Sequence, residues 1–359
     1  MIMSMHHVAP DGSLSLVAAN VPYANLQWSR SFSAPGSFCA LLACPLPVEW
    51  PGRYVVTLDG RAEVGVLEKV EASEGSDASS PAISGRFAES WLSRYRFGPG
   101  GEAASGANWR QAATSAIGKW RLSDLPRISM GSGTEKPSGS SYKIVGEAGR
   151  AASEAVYAAC SANGAYPLVT YDRDAAPDRM EARLVDGLDR TRAQSDRPIA
   201  LLSLAMGDVT KIKYSGDYST ACSSVVAYAS PVDEGAAPVV QAVPVDGFDP
   251  ATQWDQVAVE DVGSLIDSDA DPTAAAVYEA GRLRALDHMP ALSIDCSVPF
   301  RGEWDLGDVV EVEIESMRLS AALRVEAVRE VYKPEGSTVE VTVGTKSISK
   351  IARAMIGRR

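Results

Sequence analysis

The sequence holds no apolar run near the ~18 residues that a bilayer span requires, so no membrane-crossing helix is expected. Its start, Met1-Ile2-Met3-Ser4-Met5-His6-His7, lacks the basic residues and apolar stretch of a secretory signal, and export by that route is not expected. Histidine is scarce. His6 and His7 are expected at a mobile end, and His288, before Met289-Pro290, reads as a cap on a helix dipole. The five cysteines, Cys39, Cys44, Cys160, Cys222 and Cys296, are odd in number and thinly spread, unlike a disulfide scaffold. They are expected as buried thiols, since Cys39 and Cys44 lack the further ligands of a zinc or iron–sulfur site. No Gly-x-Ser-x-Gly elbow occurs, and Gly344-Thr345-Lys346-Ser347 lacks the order of a phosphate-binding loop. The chain is expected not to be an enzyme, with no catalytic residue, no metal and no cofactor.

Basic residues are missing from one long interval. Between Lys213 and Arg282 there is no Lys or Arg, while that interval carries twelve of the 46 acidic residues. Without those twelve the acids equal the 34 bases, so the whole formal charge of −12 lies in one segment. Such a segment repels phosphate, because nucleic-acid affinity rests on Lys and Arg. It reads as a solvated insertion, a surface that nucleic acid passes without sticking, or a docking face for a basic partner. Asp267, Asp269 and Asp271 open like a calcium loop. Pro272, however, stands where the sharp turn needs Gly, and Tyr278 where the bidentate Glu belongs.

What is present suffices for several cores. With 359 residues, 45% hydrophobic and 22% charged, the chain is expected to form about two to four domains of roughly 100 to 150 residues. Leu26, Trp28, Arg30 and Phe32 alternate with polar residues, the period of a half-buried strand. Arg53 to Leu58, Asp59-Gly60 and Arg61 to Val70 predict a hairpin with a tight type I′ turn. Helices are predicted over Asn108–Trp120 and within Glu147–Asn163, which Gly164 would end. Short apolar runs at 168–171, 182–188 and 199–204 predict strands, and Val209–Tyr214 with Cys222–Ala229 predicts a strand pair. Asp271 as N-cap and Pro272 at the first helical position predict a helix to about Met289. Val310, Val312 and Ile314, then Leu323, Val325 and Ala327, then Val339, Val341 and Val343 predict a closing meander, with a slip at Val328 that suggests a bulge.

Certain of these elements, in order, resemble a known family. Trp28-Ser29-Arg30, the turn Pro35-Gly36-Ser37-Phe38, Gly65-Val66-Leu67-Glu68 and Ser84-Gly85-Arg86 are similar to the opening of siphophage tail-tip hub proteins. Helix 277–287, the turn Asp305-Leu306-Gly307-Asp308, Arg324–Val328 and Val343-Gly344 are similar to that family's last barrel. The resemblance covers roughly residues 20 to 100 and 200 to 345.

The resemblance implies a β-rich α+β chain with two small antiparallel β-barrels around an inserted α+β domain. The boundaries expected are a first barrel at 1–98 and a middle domain at 99–200. A discontinuous second barrel covers 201–230 and 291–345, and an acidic insertion with a helix at 231–290 returns to the middle domain. A basic tail at 346–359 follows, and no peptidase or hydrolase domain is expected after it.

In such a family the chain is a homotrimeric hub that closes the tail tube, without bond chemistry. Its expected partners are the distal tail ring protein, the C-terminus of the tape-measure protein and receptor-binding or fibre proteins. DNA would pass through during ejection without specific binding. The expected location is the tail tip of the virion, after assembly in the host cytoplasm. Asp267, Asp269, Asp271, Glu260 and Asp261 are the candidate lumen or partner face. Lys346, Lys350, Arg353, Ile348 and Ile351, basic and apolar at helical spacing, are the candidate subunit-docking residues. Trp28, Trp50 and Trp304 are candidate interface anchors or core residues. The alternative class is a tail-attached glycan-binding or cell-wall-degrading module.

Overall fold

The computed structural model describes residues 1–344 apart from 74–79, 121–127, 131–141, 175–176, 178, 208, 232–235, 247, 252, 267–270 and 299–302. Its backbone is β-rich, with several antiparallel sheets and three α-helices among the described residues. The largest sheet has ten strands. Along its main path lie Lys211–Asp217, Ala291–Val298, Gly336–Gly344, Leu319–Lys333, Tyr23–Ser31, Ser37–Leu42, Ala82–Arg86 and Lys69–Glu71. Val309–Ile314 pairs with Leu319–Lys333 and, in parallel, with Leu201–Ser203. Strands from both ends of the sequence therefore share one sheet, joined where Tyr23–Ser31 runs antiparallel to Leu319–Lys333.

The predicted alternation holds in Tyr23–Ser31, which buries Leu26, Trp28 and Arg30 on one face. That face packs against a second sheet of Leu14–Ala18, Met3–Val8, Tyr54–Leu58 and Val64–Val66, whose Met3, Met5, Val56 and Leu58 complete the core. Met3–Val8 is thus an interior strand, and the expected mobile start is overturned. His6 is buried and bonds Thr57 at 3.2 Å. The predicted hairpin forms, but its turn is wider than a two-residue type I′. Gly60 has φ +73° whereas Asp59 does not enter the positive region, and pairing resumes only at Val64. Arg61 is drawn instead into the salt bridge described below.

Trp109–Lys119 (α1) is capped by Asn108, whose side chain accepts from the Gln111 amide at 2.9 Å. Ala152–Ala162 (α2) ends before Gly164, whose φ of +72° places it in the left-handed region. Both helices share a core with Ile144, Val169, Met180 and Ala182 from the neighbouring strands.

The acidic interval folds as a separate three-stranded sheet. Ser224–Ala229 lies between Val239–Pro244, antiparallel, and Val257–Asp261, parallel. Ala274–Ala285 (α3) covers one face through Val277 and Ala280, so closely that a Cβ on Gly281 would stand 2.7 Å from that of Ala227. The α3 cap is Thr273, which accepts from the Ala276 amide at 3.2 Å, so Asp271 and Pro272 precede the helix. The predicted pairing of 209–214 with 222–229 does not occur. Lys211–Asp217 takes an edge of the large sheet beside Ala291–Val298, and Ser224–Ala229 nucleates the small one. Alternation reports which residues share a face and says nothing of the partner strand. The closing meander is present, with its bulge between Val325 and Ala327.

Close backbone approach fixes one position in the large sheet. A Cβ on Gly85 would lie 1.7 Å from the Val66 carbonyl oxygen, so the strands must part to admit it. Gly85→Ala should cost about 2–3 kcal/mol of unfolding free energy. In urea denaturation, Ser84→Ala in the same strand should stay within about 1 kcal/mol of the native chain.

Candidate functional site

The unusual chemistry of the molecule begins with an arginine in an apolar stripe. Arg30 is only 5% exposed, yet alternation places it between Trp28 and Phe32. Its guanidinium donates to Asp305 at 2.5 Å and to Glu330 at 3.2 Å, and it lies 3.6 Å from Glu63. Glu330 is fully buried and also accepts from Arg61 at 2.7 Å and from the Tyr332 hydroxyl. Trp28 donates its indole N–H to Glu63 at 3.2 Å. Burial alone would lower the Arg30 pKa, but the carboxylates of Glu63, Asp305 and Glu330 outweigh it and raise the pKa. Two guanidiniums and three carboxylates thus sit at the junction of the two ends of the chain.

The turn Asp305–Asp308 carries this network to the middle of the sequence. Gly307 has φ +86°, and Asp308 is buried. The Asp308 carboxylate accepts from the Leu188 amide at 2.8 Å, the Asp305 amide at 3.0 Å and the Arg190 guanidinium at 3.1 Å. Arg324 donates to the Gly307 carbonyl at 2.6 Å and lies over the Phe32 ring, 4.9 Å from its centroid.

Two groupings have the composition of an active site, and the chemistry of each argues otherwise. A cavity of about 250 Å³ is lined by apolar side chains and by Glu89, whose carboxylate accepts from the Val169 amide at 2.5 Å. Burial raises the Glu89 pKa to about 8, against the opposing effect of that amide bond. No other titratable group lines the cavity among the described residues. Elsewhere the Cys222 thiol lies 3.7 Å from His288 Nδ1, and His288 Nε2 lies 2.9 Å from Glu260. The order thiol, imidazole, carboxylate is that of a cysteine nucleophile. Yet burial, then the Glu260 charge, pushes the Cys222 thiol up rather than down, and the residue is only 2% exposed. The arrangement pins the start of the acidic sheet to the end of α3, where the Cys222 amide also donates to the His288 carbonyl at 3.0 Å. Of the five cysteines, Cys39 is exposed and Cys44 intermediate, which corrects the expectation that all are buried.

The candidate lumen or partner residues are not one face. Glu260 turns inward to His288, whereas Asp261 is exposed on the opposite side of its strand and accepts from the Gly263 amide. Asp271 is exposed before the α3 cap, and Asp267 and Asp269 lie outside the described residues. Lys346, Lys350, Arg353, Ile348 and Ile351 also lie outside them. Of the tryptophans, Trp28 and Trp304 are buried and Trp50 is 40% exposed. The sheet face turned away from α3 is apolar. Val240, Val257 and Val259 are exposed there, next to Val226 and Tyr228 in register, and Trp254 in the preceding loop is 95% exposed. The sequence carries that signal as Val257 and Val259 at alternate positions, just ahead of Glu260 and Asp261.

Replacing Arg30 by Met leaves the buried Glu63 without its cation and Glu330 with Arg61 alone, and should cost about 3–5 kcal/mol. Combined with Glu330→Gln, the loss should be smaller than the sum of the two single losses in a denaturation cycle. Glu89 gives a pH signature. Its carboxyl stays protonated in the folded chain up to about pH 8, whereas its reference value is 4.5, so folding takes up a proton between those limits. Stability should fall as pH rises from about 5 to 8, by up to about 1.4 kcal/mol per pH unit, and Glu89→Gln should flatten that slope.

No family model and no curated protein matches the sequence. Solved structures do match along nearly the whole chain. A tail protein from Neisseria meningitidis superposes with a TM-score of 0.60 at 14% identity, over 97% of each chain. The 43 kDa tail protein of prophage MuSo2 from Shewanella oneidensis gives 0.59 at 14% identity, over 96% of this chain and 98% of that one. A prophage tail protein from Listeria monocytogenes gives 0.57 at 12% identity, over 99% and 98%. Since each superposition spans at least 96% of this chain, the chain has the fold of phage tail proteins.

Proposed function

We propose that the chain is a structural component of a phage tail, and within it the hub of the tail tip. The observation that carries this reading is the end-to-end correspondence with tail proteins from three bacteria, which leaves no large part of this chain unmatched. The finer reading rests on the resemblance of its opening and closing turns to tail-tip hubs. Three copies form a ring in which two barrel-like halves per chain give pseudo-sixfold symmetry. The ring closes the tail tube below the distal tail ring, holds the end of the tape-measure protein and meets the receptor-binding components. It opens for DNA, and its work is assembly rather than catalysis. The Cys222 grouping supports this, since burial raises rather than lowers the pKa of its thiol.

Light scattering over a concentration series tests the reading, with the chain alone and mixed with its neighbouring tail-ring protein. A trimer of the 38.0 kDa chain in either sample is the expected result. A monomer in both, at every concentration, would remove the hub and leave a monomeric tail-attached module.

A further inference from the structure

We infer that the outer face of the acidic sheet is a docking surface for the basic C-terminal segment of its own chain, residues 345–359. The face is largely apolar and, among the described residues, exposed. Strand register brings Val226 between Ala242 and Val259, and Tyr228 opposite Val240, all on the side away from α3. Val259 is 67% exposed, whereas Val225, Ala227 and Val243 on the opposite face are buried. Soluble folds seldom leave such a patch bare unless something binds it.

Charge selects the occupant. Asp246 and Asp255 stand exposed at one end of the face and Asp261 at the other, and no Lys or Arg occurs from 214 to 281. A second copy of the same face would set these acids against one another, and a nucleic acid would meet only repulsion. The complementary surface is apolar with a basic rim. Residues 345–359 have that composition: Lys346, Lys350, Arg353, Arg358 and Arg359 with no acid, interleaved with Ile348, Ile351 and Met355.

Geometry supplies the route. The chain leaves the described fold at Gly344, which pairs with Ser293, five residues beyond His288. His288 in turn bonds Glu260 on the edge strand of the acidic sheet, so a short stretch of chain separates the exit from that sheet. Fifteen residues reach about 50 Å extended or about 22 Å as a helix. The face is about 20 Å long and about 10 Å across, within either reach.

The test uses the full chain with a photo-reactive benzoylphenylalanine in place of Val259, irradiated and read by mass spectrometry. Cross-links from position 259 into 345–359, in a product of single-chain mass, are the expected result. Ile348→Ser with Ile351→Ser should reduce them at least tenfold, as should Asp246→Lys, Asp255→Lys and Asp261→Lys together. The same probe at Val17, exposed on a different sheet, should give none. Three results would each overturn the assignment: cross-links absent from the tail, equal yield from position 17, or a tail cross-link found only in a product of two-chain mass. Amide exchange guards against a misfolded probe: in the unlabelled chain, the same Ile-to-Ser tail variant should exchange 257–261 at least tenfold faster, and unchanged exchange overturns the proposal.

Discussion

The antiparallel seam between Tyr23–Ser31 and Leu319–Lys333 is the constraint on which the rest of the molecule depends. It joins residues about three hundred positions apart, so its loop-closure entropy has to be offset by contacts made only when the two strands meet. The apolar stripe supplies part of that. The seam also buries Arg30 with Glu330, two charges that neither strand could hide alone. A buried ion pair is weak evidence for net stability, because desolvation offsets the Coulombic gain. Its effect is selective: a one-residue slip of the seam would carry Glu330 away from Arg30 and Arg61 and strand its buried carboxylate. The cluster thus ties the register of the seam to the pairing of the two ends.

The Asp305–Asp308 turn extends this logic into a three-way junction. Asp305 serves Arg30 from the first strands, while Asp308 holds the Leu188 amide and Arg190 at the end of the middle region. Each carboxylate bonds one distant part of the sequence, so the turn as a whole is satisfied only when all three parts are in place. The parts are not independent modules strung together but are cross-braced at one turn.

Much of the local structure was legible, because alternation and caps are short-range. Leu26, Trp28 and Arg30 fixed a strand face, Asn108 and Gly164 fixed helix ends, and the Val325–Ala327 irregularity showed as a slip in the alternation. Partner choice was not legible. Lys211–Asp217 and Ser224–Ala229 read as neighbours because they are adjacent in sequence, yet each finds a better-buried partner elsewhere. Arg61 looked like the first residue of a return strand, and only Glu330, 269 positions away, explains why the turn opens around it. The start of the chain read as mobile since its interior position is decided by the strands that flank it. The candidate acids were legible as a charge imbalance, but the side of the sheet each occupies depends on the parity of a strand whose limits the sequence left open.

That parity decides what the acidic segment can do. On the strand Val257–Asp261, Ala258 and Glu260 face α3 while Val257, Val259 and Asp261 face outward. Glu260 is consumed by the fold, locking the sheet to His288 and the end of α3, and it is not available to line a channel. The acids left outside flank valines rather than one another. A surface of that kind differs from a uniformly acidic lumen wall, which would repel phosphate along its whole length and offer no apolar contact. Apolar contact with a charged border is the composition of a protein interface. The negative charge is therefore better understood as a selector of which protein segment may cover the valines than as a property directed at DNA.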